Sequence, residues 1–95
     1  MKTKKQSVEK FSKEEIDLIE LGKFYFISGK YDEAIEMFEK VVEINPKNSD
    51  AYFNMGVVKE ANNDFVGAKK MYEKTLEIVS DHKTAREHLN KLIGL

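Results

Sequence analysis

Two histidines, His82 and His88, and a large population of carboxylates are the residues of this 95-residue chain whose chemistry could extend to catalysis or metal binding. Six residues apart, the histidines fall on different faces of one helix, so they do not share a metal as an i,i+4 pair would. Both read as surface residues. The carboxylates fall for the most part on polar helix faces and read as solvated surface. No glycine-rich stretch of the phosphate-cradling kind is present, and no nucleophile motif; Ser28-Gly29 reads as a helix end. Cysteine is absent, which removes disulfides and thiolate chemistry. Met37, Met55 and Met71 stand at recurring positions and read as packing, not as a cofactor box. The expectation is a protein that is not an enzyme, with no catalytic residues, no cofactor and no metal.

Composition narrows the class further. Apolar content of 41% with 35% charged residues suits an ordinary helical domain. No apolar run approaches the ~20 residues that span a bilayer, so no membrane insertion is expected. The start, Met-Lys-Thr-Lys-Lys-Gln, has no apolar stretch behind it and does not read as a signal peptide; the expected location is cytoplasmic. Net charge is −1 but unevenly spread. Residues 1–13 hold five Lys and one Glu (+4), residues 14–48 nine acids and four Lys (−5), and residues 49–95 balance. A nucleic-acid partner is not expected, because the basic residues do not cluster on a folded segment. Residues 1–11 read as a disordered basic tail.

The elements that must position any site are helices. Ser12 with Glu15 three residues on makes a capping box, and Phe11 with Ile16 has the spacing of a hydrophobic staple. A first helix is expected over about Lys13–Ser28, broken at Gly29, which is free to take a positive φ. A second runs from about Tyr31 to Ile44, with Tyr31, Ala34, Ile35, Phe38, Val41 and Val42 on one stripe. Asn45-Pro46 ends it. A third starts near Asn48 or Ser49 and ends near Ala61. A fourth spans about Phe65–Val79, and a fifth, capped by Ser80 or Asp81, ends at Gly94. No strand-like alternation is present.

Two stretches are one unit written twice at a spacing of 34. Gly22 recurs as Gly56, Ala34 as Ala68, Met37 as Met71 and Ile44 as Ile78; Leu21 becomes Met55, Tyr31 becomes Phe65 and Phe38 becomes Tyr72. Small residues recur where helices must approach closely, and bulky ones where space must be filled. Such units bury their apolar faces by stacking on one another.

Counted from Glu15 and Ser49, these units resemble the tetratricopeptide repeat. Leu18 and Tyr52 stand at position four, Leu21-Gly22 and Met55-Gly56 at seven and eight, and Tyr25 at eleven. Ala34 and Ala68 stand at twenty, Phe38 and Tyr72 at twenty-four, Val41 at twenty-seven and Pro46 at thirty-two. The second unit departs at Lys59, Thr75 and Ser80, which suggests looser packing in its last turn. The resemblance implies an all-α fold, a right-handed superhelical stack of antiparallel helix pairs with about five helices. The implied domain covers 12–95, with repeats at 15–48 and 49–82 and a solvating, capping helix at 82–95.

The resemblance also implies where a partner sits, because the first helix of each unit lines a concave groove in this family. Ile16, Ile19, Lys23, Phe26 and Ile27 then face the groove from the first unit, and Asp50, Phe53, Val57, Glu60 and Ala61 from the second. The family's clamp for a terminal carboxylate would need cations and amides where Ile19, Lys23, Asn54, Thr84 and His88 stand, and only Asn54 agrees. Leu18, Leu21, Gly22 and Tyr25 read as the core face of the first helix, so its other apolar groups either lie under the fifth helix or the tail or meet a partner. The expected function is a protein- or peptide-binding module for a hydrophobic or amphipathic segment. Ile16, Ile19, Phe26, Phe53 and Val57 are the expected anchors, with Lys23 and Asn54 giving polar orientation. The alternative is self-association, a structural protein that homo-oligomerises through the same surface.

Overall fold

In the computed structural model, which describes residues 10–95, five helices follow one another: α1 (Lys13–Ile27), α2 (Tyr31–Ile44), α3 (Ser49–Ala61), α4 (Phe65–Ile78) and α5 (Lys83–Leu92). There is no strand among the described residues. The basic tail expected over 1–11 lies, as far as residue 9, outside them; Lys10 and Phe11 precede the first helix without regular structure.

Local chemistry sets the boundaries. The Ser12 hydroxyl accepts from the Glu15 amide at 3.1 Å, and Glu15 Oε2 accepts from the Ser12 amide at 3.0 Å, completing the capping box. The A-to-B turn of each repeat places its fifteenth residue in the left-handed region: Gly29 at φ 77° and Asn63 at φ 64°. Asn is the side chain that tolerates this conformation best after glycine, so the 34-residue register carries the turn as well as the core. The register also corrects the expected cap of α5. It is His82, not Ser80 or Asp81: its Nδ1 accepts from the Ala85 amide at 3.0 Å, as Asn48 Oδ1 accepts from Ala51 at 3.0 Å. His82 stands 34 residues after Asn48.

Within each repeat the two helices cross at a glycine. A Cβ built on Gly22 would lie 2.6 Å from Phe38 Cε1, and one on Gly56 would lie 2.6 Å from Tyr72 Cε1. Both rings are fully buried, so neither can withdraw. α1 packs on α2, α3 on α4, α3 on α2 and α5 on α4. This leaves α1, α3 and α5 as one layer and α2 and α4 as the other. One core cluster holds Ile19, Ala34, Phe38, Val41, Ala51, Tyr52, Met55 and Val58; a second holds Ala68, Tyr72 and Leu89. Thr75, at the small site of the second repeat, is fully buried, and its hydroxyl donates to the Met71 carbonyl at 2.9 Å.

The covered face of α1 keeps Leu18, Gly22 and Tyr25 of the expected one but gains Ile19 and loses Leu21. Its buried residues are Glu15, Ile19 and Gly22, spaced by four and three on one side of the helix. Leu18 and Tyr25 are half-buried, and Leu21 is exposed. The reason is that α1 has only α2 and α3 beside it, and neither reaches the side carrying Leu21 and Phe24.

Candidate functional site: the layer of α1, α3 and α5

The expected site residues divide between two clusters. Ile19 is 5% exposed and belongs to the first core cluster, which corrects its assignment as a groove anchor: with α2 and α3 packed beside it, it offers nothing to a partner. Phe26 is half-buried beside that cluster, its ring 5.6 Å from Tyr31. Ile16 is about half exposed, and Lys23 lies on the surface with its ammonium 3.8 Å from Glu20. On α3, Phe53 and Val57 are half-buried against the second cluster. Asn54 is half-buried too, but its amide donates to the Asp50 carbonyl of its own helix at 2.7 Å. Phe53 and Val57 are thus brought together, and Ile16, Lys23 and Phe26 share α1.

Around Phe53 the structure builds a cluster that sequence reasoning missed. The His82 ring stacks on Phe53 at 5.1 Å, the His88 ring meets its edge at 5.6 Å, and the Tyr72 ring lies 5.8 Å away. The two histidines, placed on separate faces and at the surface by their spacing, converge on one aromatic because His82 caps α5 from outside while His88 lies within it. Beneath them, Tyr72 Oη donates to Glu60 Oε1 at 2.6 Å, and His88 Nδ1 is 3.1 Å from both Glu60 Oε1 and Tyr72 Oη. With the tyrosine proton committed to the carboxylate, His88 Nδ1 must carry its own hydrogen and donate. Burial and the Glu60 hydrogen bond push the Tyr72 phenol far above its ordinary range. Burial opposes the ionised form of Glu60, but the bonds from Tyr72 and His88 outweigh it and hold the carboxyl below its usual value. The triad is therefore an ionised carboxylate with two donors, an arrangement that ties α3, α4 and α5 together. The 34-residue register carried a partial signal, since it aligned Tyr72 with Phe38 and so announced a hydroxyl at a core position.

A second carboxylate departs from the solvated-surface expectation. Glu15 is buried; its Oε1 accepts from Asn45 Nδ2 at 2.8 Å and from Asn48 Nδ2 at 3.0 Å, in addition to the capping box. Burial alone would raise its carboxyl, but the bonds from the Ser12 amide, Asn45, Asn48 and the Ser12 hydroxyl hold it at about 2. This links the start of α1 to the loop between the repeats.

One depression of about 270 Å³ opens elsewhere, among Tyr31, Asp32, Ile35, Val58, Lys59, Asn62 and Asp64. It lies where Lys59 replaces the aromatic that the first repeat has in Tyr25. None of the expected site residues lines it, and its lysine is 3.7 Å from Asp64. Among the described residues no group of three or more His, Asp or Glu is placed to hold a metal ion, and no helix is long and apolar enough to cross a membrane.

Comparison with known proteins agrees with this geometry. A family model described as TPR repeat matches residues 22–63, and one described as tetratricopeptide repeat matches residues 50–82. Among curated proteins, the human protein O-mannosyl-transferase TMTC1 is 36% identical over 61 residues, 64% of this chain and 7% of that protein. The TPR repeat-containing protein PA0015 of Pseudomonas aeruginosa is 32% identical over 62 residues, 65% of this chain and 59% of that protein. The chain thus spans less than two thirds of each of these relatives. Among solved structures, the first TPR of Spaghetti (RPAP3) bound to the HSP90 peptide SRMEEVD superposes with a TM-score of 0.56 at 26% identity, covering 87% of this chain and 93% of that one.

Proposed function

The chain belongs to the tetratricopeptide repeat family and is a protein–protein interaction module, and from that premise we propose that it acts without enzymatic activity, holding a hydrophobic or amphipathic peptide segment of another protein against the layer of α1, α3 and α5. The observation that carries this reading is the pair Phe53 and Val57, half-buried apolar side chains on α3 whose inner sides rest on Tyr72 and Leu89 while part of their surface stays open. An anchor of this kind is already ordered by its neighbours, so a docking segment loses little side-chain freedom on that side. Ile16 and Phe26 continue the apolar surface on α1, and Lys23 and Asn54 supply polar groups at its margin.

The solved relative binds a peptide ending in Glu-Glu-Val-Asp. Here, of the five places the family's carboxylate clamp uses, Ile19 is buried in the core and His88 is committed to Glu60. Of those five places only Lys23 carries a lysine or arginine cation, and its ammonium lies 3.8 Å from Glu20. An apolar segment therefore fits this surface better than an acidic terminus does.

The test is selection from a displayed random-peptide library, followed by titration of a selected peptide and of SRMEEVD against 15N-labelled protein. The expected result is enrichment of aromatic or branched apolar residues. The selected peptide should shift Phe53 and Val57 amides, and Phe53→Ser should weaken it by ~2 kcal/mol. Tighter binding of SRMEEVD, or shifts confined to the far side of α2 and α4, would reject this reading.

A further inference from the structure

The internal repeat supplies a comparison for every face of the molecule, and one face fails it. On α3, the row Tyr52, Met55 and Val58 is buried in the first core cluster, covered by α2 of the preceding repeat. Thirty-four residues earlier on α1 the same row is Leu18, Leu21 and Phe24, continued by Ile27. Here Leu21 is 40% exposed, Phe24 62% and Ile27 83%. The row keeps the residue types of a packing surface, yet beyond Leu18, which touches the first core cluster, no described element covers it. On α5 the corresponding places are Arg86, Leu89 and Leu92, and there Leu89 is buried and Leu92 half-buried in the cluster shared with α4. The row is thus covered on α3 and on α5 and open on α1.

We infer that the outer face of α1, centred on Phe24, is a self-association surface on which two copies of this chain pair antiparallel, α1 against α1. Charge selects this occupant and this orientation. The exposed acids of α1, Glu14, Asp17 and Glu20, outnumber Lys13 in its first half, whereas Lys23 lies in its second half and Lys30 follows its end. A parallel pair would set acids against acids. An antiparallel pair centred on Phe24 brings Leu21 level with the partner's Ile27, and brings Lys30 level with the partner's Asp17 and Glu20. Among the described residues Lys30 takes part in none of the ion pairs (Lys13–Asp17, Lys23–Glu20, Lys59–Asp64, Lys69–Glu73, Lys74–Glu77 and His88–Glu60). Residues 1–9 are a poor cover for the row, because Met1 and Val8 are their only apolar side chains. Three or four apolar side chains per copy bury less than the ~1,200 Å² of a stable complex, so the pairing is weak, with a dissociation constant on the order of 10⁻⁴ M.

Sedimentation equilibrium of the full chain tests this. The expected mass is near 11.0 kDa at ~10 μM and rises toward twice that value near ~1 mM. Phe24→Lys, at a position open enough to leave helix content intact, should raise the midpoint concentration at least ~tenfold, because a buried charge replaces the central anchor. Lys30→Glu should raise it ~threefold, and adding Asp17→Lys should reverse that loss. A mass fixed at 11.0 kDa throughout would overturn the inference. So would association that ignores Phe24→Lys but is abolished by Phe53→Lys, which would place the contact on the α3 surface. Stronger association on deleting residues 1–9 would overturn it as well, since the tail would then be the occupant of the row.

Discussion

At the scale of single residues, the molecule depends on places where a side chain has no room to be different. Gly22 is the clearest. Alanine is the better helix former by about 1 kcal/mol, so on propensity alone Gly22→Ala would stabilise α1. The Cβ position 2.6 Å from Phe38 decides otherwise, because the Phe38 ring is fully buried and locked among Ala34, Val41 and the residues of α3. Overpacking of this kind costs ~1–3 kcal/mol. Gly22→Ala is expected to lower the thermal midpoint, and Phe38→Leu in the same chain to recover part of the loss by vacating the space. A rise in midpoint for the single variant would show that propensity outweighs the clash. Glu15 is the polar counterpart, since three hydrogen bonds converge on its carboxylate, from the Ser12 amide and from the Asn45 and Asn48 side chains. It can be replaced by no side chain that is not an acceptor at both oxygens.

At the scale of elements, α5 is the instructive case. It is short, and two devices outside its own backbone hold it: the His82 cap and the triad of Glu60, Tyr72 and His88. Tyr72→Phe keeps the ring against Gly56 and removes only the hydroxyl, leaving Glu60 with one donor fewer in a partly buried site. The expected cost is ~1–2 kcal/mol. Loss of the cap in His82→Ala should cost ~1 kcal/mol and also removes the ring stacked on Phe53. Hydrogen exchange separates local from global effects. His82→Ala should speed exchange in α5 while leaving α1 and α2 nearly unchanged, because the first core cluster does not include α5. Uniform acceleration in all five helices would mean that α5 is an inseparable part of a single cooperative unit.

For the molecule as a whole, stability should fall in acid, and the sign follows from the two tethered carboxylates. Glu15 is held at about 2, below its ordinary 4.5, and Glu60 is also held below its ordinary value. Each therefore binds its proton more readily in the unfolded chain than in the folded one. Their contribution is fully present above the unfolded value, declines as pH falls below about 5, and is gone near pH 2. For Glu15 the gap between 4.5 and about 2 sets an upper limit of about 3 kcal/mol, which solvent screening reduces. Urea melts between pH 7 and pH 2.5 should show this decline, and in Glu15→Gln it should be shallower, from a lower starting stability at neutral pH. An equal slope in the variant would show that other groups carry the acid sensitivity.

The 34-residue register was legible in the chain and, with the resemblance it revealed, carried most of the fold: five helices in an antiparallel stack, the glycine crossings at Gly22 and Gly56, and the bounds of α2. It worked because these features are local or periodic, set by helix geometry, by the size of a side chain at a crossing, and by backbone rules at Asn45-Pro46. Read one step further, the register also contained the His82 cap and the left-handed Asn63, through their counterparts Asn48 and Gly29. Tertiary structure decided what depends on neighbours far along the chain. Ile19 and Leu21 are equally apolar, two residues apart on one helix, and only the positions of α2 and α3 make the first core and the second surface. Glu15, Asn45 and Asn48 each look like ordinary cap or turn residues until the loop between repeats brings them within hydrogen-bonding distance. Glu60, Tyr72 and His88 come from three helices, and no spacing along the chain relates them. Periodicity tells which side chains need cover, whereas the packing of distant elements determines which of them receive it.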